Sequence, residues 1–498
     1  MSTHSAGLFN DDEDDDEILL PDRPPLEVVQ PALVDVKDVS AEDLDMALTD
    51  FSERDLAKIF VKKYGSDWKW IDTWGVWMEY NGGRWIENKR RGFSSAVQNF
   101  MDGIPHWPSF SRAPEAVRKA IATRKVEANV REKCKDNEKM NDVKEIFDAD
   151  DYIVGTPEGV IDLRTVKFRP AEKTDYVTKR TSVAPKAGPM PVWLKHLDFV
   201  CKGDKELMTY LHKLFGMLLC GDRSEQCFTF FYGGGGNGKG AMLRQIVGIL
   251  GDYAVEANAS TFMEQRNVAH LTEVAHLEGA RLAYVDETPQ GVTLNEERVQ
   301  KLTGGSKMAA RKMGKDMYEF QPKCYIIMVG NFKPRLKTAG ASMKRRTHLF
   351  PCLNSIQPGK EDHSIEDAMK AEWPAILHWM LEGFKLWKAE GLKKALPAAI
   401  ARATDDYMDA EDTVGEWIDS SADRSDASAK TNRVLLYKAY KEWSEKQGYD
   451  HCIGPKTFYE SMETKGFATL KSTGDRYLVG IRLKPEGSAP GWGFAKDD

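Results

Sequence analysis

No stretch of this 498-residue chain approaches the roughly 20 consecutive apolar residues that a membrane helix needs, so a membrane partner is not expected. The seven cysteines (Cys134, Cys201, Cys220, Cys227, Cys324, Cys352 and Cys452) include no C-x-x-C pair. That scatter argues against a structural zinc and for a reduced, cytoplasmic setting. The opening "MSTHSAGLFNDDEDDDE" has neither a basic n-region nor an apolar h-region, so no secretory signal is expected there. Internal repeats are absent. Residues 1–50 are also poor in positive charge, with 15 acidic and 2 basic side chains. Residues 51–498 carry 62 acidic and 68 basic ones, so a mildly basic body follows an acidic arm. The arm reads either as a solubilising tail or as a segment that competes for a basic groove or docks a partner.

The length allows two to four domains. Residues 1–40 read as an acidic disordered tail and residues 41–190 as a mixed α/β N-terminal domain. Residues 191–355 read as a nucleotide-binding core, 356–422 as a helical extension and 423–498 as a winged-helix-like domain. Near the start, "WKWIDTWGVWMEYNGGRWIENKR" sets alternating aromatics around an Asn-Gly-Gly turn, the pattern of a β-hairpin. Its tryptophans suit either a small core or a surface on which bases stack. At the other end, two helical segments followed by a Gly-containing strand pair give the winged-helix order. From Phe228 to about Pro351, apolar strands alternate with helices, the rhythm of a wound α/β domain.

Within that core, Gly233, Gly234, Gly235, Gly236, Asn237, Gly238 and Lys239 satisfy G-x-x-x-x-G-K, followed by Gly240 and Ala241. An apolar strand precedes the motif and an apolar-striped helix follows it, as a phosphate-binding loop requires. Glycines let backbone N–H groups converge on phosphate, and Lys239 reaches the β- and γ-phosphates. Further on, "ARLAYVDETPQG" is an apolar strand ending in Asp286 and Glu287. Asp286 suits a Mg²⁺ ligand and Glu287 the group that polarises an attacking water. A third apolar strand, "CYIIMVGN", ends in Asn331, an amide able to orient that water. "SMKRRTHLFP" supplies Arg345 and Arg346 for a neighbouring subunit's ATP. Residues 298–346 hold 13 Lys and Arg against 2 Asp and Glu. The cluster Lys307, Arg311, Lys312 and Lys315 in this segment points to DNA-backbone contact.

In this order the motifs resemble the superfamily 3 helicases, in particular the phage and plasmid branch related to the poxvirus primase–helicase. "VQKLTGGSKMAARKMGKDMYEFQP" is similar to that family's B′ segment, and Arg346 matches its arginine finger better than Arg345. The resemblance covers roughly residues 51 to 485. It implies an AAA+ type core using ATP and Mg²⁺, a homo-hexameric ring that binds single-stranded and forked DNA, and 3′ to 5′ unwinding of the duplex in replication of a phage or mobile element. Two departures stand out. Gly240 replaces the hydroxyl that normally ligates Mg²⁺, and only an acidic arm of about 50 residues precedes the shared region. The second leads to the expectation that the chain lacks an N-terminal primase domain and relies on a separate primase or polymerase. The nearest carboxylates, Asp148 and Asp150, read as a charged turn. The rival to a helicase is a non-catalytic ATP-binding initiator or loading factor.

Overall fold

The computed structural model describes residues 51–484, apart from 108, 265–270, 315, 358, 360, 361, 363, 395, 448, 450, 451 and 473. The acidic stretch expected over residues 1–40 and the predicted DNA contact Lys315 lie outside the described residues. Two compact units emerge. Among the described residues the first gathers 51–63 with Arg90–Asp136, and the second holds Tyr64–Lys89 and 137–484.

The first unit is helical. Helix Glu53–Tyr64 buries Leu56, Phe60 and their neighbours at three- and four-residue spacing, the stripe of an amphipathic helix. Phe60 meets Phe93 and Phe100 of helix Gly92–Gly103 edge-on, with ring centroids 5.6 and 5.4 Å away. Helix Arg124–Lys135 is tied in by Asn129, whose Nδ2 donates to Glu53 Oε1 at 2.6 Å.

The second unit opens with a small sheet ordered Trp85–Glu87, Val76–Tyr80, Trp68–Ile71, Asn141–Asp142. The Asn-Gly-Gly turn forms as the sequence suggests, with Asn81 Oδ1 accepting from the backbone of Gly83 and Arg84. Trp68 and Trp85 are core residues, whereas Trp70, Trp74 and Trp77 stay partly exposed. A three-stranded antiparallel meander follows, Ile153–Thr156, Gly159–Asp162 and Lys167–Arg169.

The central α/β layer comes next, and its elements are numbered in chain order. They are α1 (Pro191–Val200), α2 (Lys205–Met217), β1 (Phe228–Tyr232), α3 (Lys239–Leu250), β2 (Ala254–Glu256), β3 (Leu282–Val285) and α4 (Glu296–Gly304). After these come the hairpin β4 (Met308–Arg311) and β5 (Met317–Phe320), then β6 (Tyr325–Gly330), β7 (Thr347–Pro351), α5 (Ile365–Ala371), α6 (Trp373–Glu390) and α7 (Ala398–Glu411). Five strands form one sheet in the order β7-β1-β6-β3-β2, every neighbouring pair parallel. Runs such as "FTFFY" and "YIIMVG" are apolar at consecutive positions because both faces of the sheet are covered. One face packs on Trp193, Leu214, Ile246 and Phe384, the other on Phe262, Val299 and Leu336.

Helices α2 and α6 cross at two glycines. A Cβ on Gly216 would overlap the backbone of Gly383 and Phe384, and one on Gly383 would overlap His212. Gly216→Ala should therefore cost about 1–3 kcal/mol by overpacking, read as a lower midpoint in thermal or urea unfolding. The last segment builds its own core from Trp417, Tyr440, Phe458 and Leu478. Helix Thr413–Ser421 packs into that core together with helices Arg433–Lys446 and Pro455–Thr464. The sheet Lys430–Asn432, Asp475–Val479, Thr469–Ser472 completes it.

Candidate active site

Because the sheet is parallel, the carboxyl ends of β1, β3 and β6 lie along one edge, where ligands of open α/β sheets are held. The glycine loop leaves β1 and ends at Gly238, which caps α3 with φ +77°. A side chain at 238 would be strained by that φ and would meet the His196 ring 2.8 Å away. His196 lies on α1, is buried, and donates from Nε2 to the Gly238 carbonyl at 3.0 Å. Burial lowers the pKa of its imidazole, against the opposing pull of this hydrogen bond, and the ring clamps the loop.

Lys239 is buried inside the loop it follows. Its Nζ donates to Gly233 O at 3.1 Å, Gly234 O at 3.4 Å, Asn237 Oδ1 at 3.3 Å and Asn331 Oδ1 at 2.7 Å. Two of the predicted site residues, Lys239 and Asn331, are thus in direct contact across the β1–β6 edge. Burial lowers the Lys239 pKa, while the charges of Asp286 and Glu287 work in the opposite direction. Asn237 is also buried, and its Nδ2 donates to Cys352 O at 3.0 Å. The Ile356 N–H donates to Gly236 O at 2.7 Å, so the segment after β7 backs the loop. Gly234 and Gly235 border open space, where an added Cβ would touch nothing.

At the end of β3, Asp286 is partly exposed and Glu287 exposed. The next residue, Thr288, turns inward and donates to Val329 O of β6 at 3.1 Å, which pins the strand end beside Asn331. Asp286 Oδ2 lies 3.9 Å from Nη1 of Arg244, a residue of α3 that the sequence reading passed over. Gly240 and Ala241 occupy the first turn of α3.

The two arginines expected near a neighbouring subunit's ATP differ in placement. Arg346 is buried, and its Nη1 donates to Ser342 O at 3.0 Å and Ser342 Oγ at 2.7 Å. Its Nε is buried and has no partner among the described residues. Arg345 is the exposed member of the pair.

In the hairpin, Lys307 and Arg311 are exposed, and the tip residue Met313 is 93% exposed. Lys312 is only half free. Its Nζ is 3.3 Å from Glu278 Oε2 and lies 5.8 Å from the centroid of the Trp74 ring. Glu278 also accepts the Tyr318 hydroxyl at 2.8 Å and Lys144 Nζ at 3.2 Å. Burial pushes this carboxyl up, yet Tyr318 and the two lysines outweigh it and hold it below the usual range.

Sequence reasoning missed His196, Cys352 and Arg244. Nothing local marks the first two, which come from distant elements. Arg244 did carry a signal: it lies four residues after Gly240, on the same helix face.

Residues 57–202 match the family model described as D5 N terminal like, and residues 231–346 match one described as a family of unknown function (DUF5906). Among curated proteins the chain is similar to the "putative helicase" of Acanthamoeba polyphaga mimivirus, 22% identical over 451 residues. That match covers 81% of this chain and 47% of the mimivirus protein. A "putative primase" of African swine fever virus is 25% identical over 239 residues, covering 44% of this chain and 25% of that protein. The chain therefore spans about half the length of the first relative and a quarter of the second. Among solved structures, the apo NrS-1 C terminal region aligns with a TM-score of 0.47 and 11% identity, over 85% of this chain and 99% of that one.

These matches correct one expectation. The chain does not lack an N-terminal primase domain: a primase-like module is present, and a helicase-like region follows it. The expectation rested on the short acidic arm before the shared region and on reading Asp148 and Asp150 as a charged turn, and those two carboxylates are engaged in structural bonds. Asp148 accepts from the backbone N–H and hydroxyl of Thr178, and Asp150 takes both arms of Arg164. The module is instead a pattern spread over about 150 residues of helix and short strand, which no single motif announces.

Proposed function

We propose that this chain is an ATP-driven DNA helicase, with an AAA+ type core working as a ring of identical subunits in viral DNA replication. The observation that carries the reading is Lys239, buried and bonded to its own loop carbonyls and to Asn331, beside open space over Gly234 and Gly235. Such a lysine can exchange those carbonyls for phosphate oxygens without being drawn from solvent. The residues fit a nucleoside triphosphate and its magnesium: a glycine cradle at a helix N-terminus, and the partly exposed Asp286 as metal ligand. Bound there, Mg²⁺ would neutralise charge on the phosphates. Glu287 polarises the attacking water, and Asn331, its Oδ1 held by Lys239, orients that water with its amide N–H groups. The relatives' names, putative helicase and putative primase, support action on DNA. The winged-helix-like end and the basic hairpin supply duplex and single-strand contacts, with 3′ to 5′ movement.

The deciding experiment measures ATP turnover with and without DNA, and strand displacement on 3′- and 5′-tailed forks. Turnover no higher than that of Lys239→Ala would leave only an ATP-binding initiator, the reading that Gly240 favours. The hairpin makes a separate prediction. Lys307→Ala combined with Lys312→Ala should weaken DNA binding at all sequences and lower the salt slope by about 1 per lost phosphate contact. Basal turnover should persist while displacement falls, as seen by comparing the two assays on one preparation.

A further inference from the structure

Gly240 stands where a hydroxyl residue would follow the loop lysine, and the structure places a guanidinium in the room this leaves. A Cβ built on Gly240 would lie 3.1 Å from Nη1 of Arg244, one turn further along α3. The same Nη1 is 3.9 Å from Asp286 Oδ2 at the end of β3. The opposite edge of the guanidinium is clamped: Nε donates to Glu366 Oε2 at 2.9 Å and Nη2 to Glu366 Oε1 at 2.6 Å. Glu366 belongs to the first turn of α5. One side chain thus spans the loop helix, the carboxylate strand and the helix behind them. The fork on Glu366 fixes which amino group remains, and it is the one beside Gly240 and Asp286. Arg244 is 53% exposed, so this edge is open to a ligand arriving from solvent.

We propose that Arg244 is a phosphate-binding residue of the nucleotide site, supplying from α3 the polar contact that a glycine at 240 cannot. The inference rests on the ATP reading of the loop. A hydroxyl at 240 would act on phosphate through a metal, whereas a guanidinium donates to phosphate oxygens directly. A fixed cation beside Asp286 also competes with a divalent ion for that carboxylate. Nucleotide retention here therefore depends on Arg244 more than on magnesium. The glycine is then a fitted part of the site, since a larger residue would crowd the guanidinium.

The test is equilibrium binding of ATP to the full chain by calorimetry, in Mg²⁺ and in EDTA, with unfolding midpoints recorded alongside. Wild type should lose less than about tenfold in affinity when EDTA replaces Mg²⁺. Arg244→Ala should lose about tenfold or more in EDTA, the scale of one charge-assisted hydrogen bond. Glu366→Gln keeps one acceptor for the guanidinium while removing the charge that competes with phosphate for it, and should keep or raise the metal-free affinity. If Arg244→Ala binds like wild type in EDTA, or Glu366→Gln weakens binding as much as Arg244→Ala, then Arg244 only ties α3 to α5 and the proposal fails. If wild type binds ATP no better than Lys239→Ala in either buffer, the nucleotide reading itself has failed.

Discussion

Glu287→Gln will bind ATP with the affinity of the parent chain and turn it over about 10²–10⁴ times more slowly, the range lost with a general base. The residue is exposed at the first loop position past Asp286. It makes no hydrogen bond or ion pair among the described residues, so the amide should leave stability within about 0.5 kcal/mol of the parent. Only the ability to accept a proton is removed. Lys239→Ala should behave in the opposite way. It removes the one donor that serves Gly233 O, Gly234 O, Asn237 and Asn331 together, so ATP binding and the loop's own order are both lost. Nucleotide titration and single-turnover rates on the two variants separate the roles. If Glu287→Gln turned over at the parent rate, the base would have to be sought at Asp286 or in solvent.

The central layer was legible because its signals are local. Four apolar runs, a glycine loop and two strand-end polar groups each occupy fewer than ten residues, and parallel strands carry them to one edge. The order β7-β1-β6-β3-β2 was not legible, because neighbours in the sheet are set by crossovers rather than by pattern. The clamp from His196 and the backing carbonyl of Cys352 were hidden for the same reason. The tryptophan question split: Trp68 and Trp85 went to the core, while Trp74 came to lie under Lys312. The lysine assigned to DNA therefore shares a carboxylate, Glu278, and two aromatic rings with its own protein. Charge counting over residues 298–346 cannot see such a partner, since Glu278 precedes that window and reaches it only through the fold.

The choice between Arg345 and Arg346 shows most sharply what sequence leaves open, and it yields the second large effect. Adjacent arginines are equivalent to a motif but not to a fold. Arg346 enters the sheet: its carbonyl accepts the Phe228 N–H at 2.8 Å, and its guanidinium is spent on Ser342. Burial lowers its pKa, and the charge of Arg345 lowers it further. To act on a neighbouring subunit's nucleotide it would have to give up two hydrogen bonds and leave the core. Arg345, exposed at the C-cap of helix Ala341–Lys344, has no such cost. Arg345→Ala should therefore cut DNA-stimulated turnover by about 10³–10⁵, the range of a trans-acting arginine, while ATP affinity and unfolding midpoint stay at parent values. Arg346→Ala should instead lower stability by about 1–3 kcal/mol through lost charged hydrogen bonds, with turnover falling only as folded protein is lost. Doping Arg345→Ala subunits into parent protein adds a check that a residue acting within its own subunit would not pass: turnover should fall more steeply than the fraction of altered chains. A stable, ATP-binding but inactive Arg346→Ala would return the role to Arg346 and require this segment to rearrange when subunits meet.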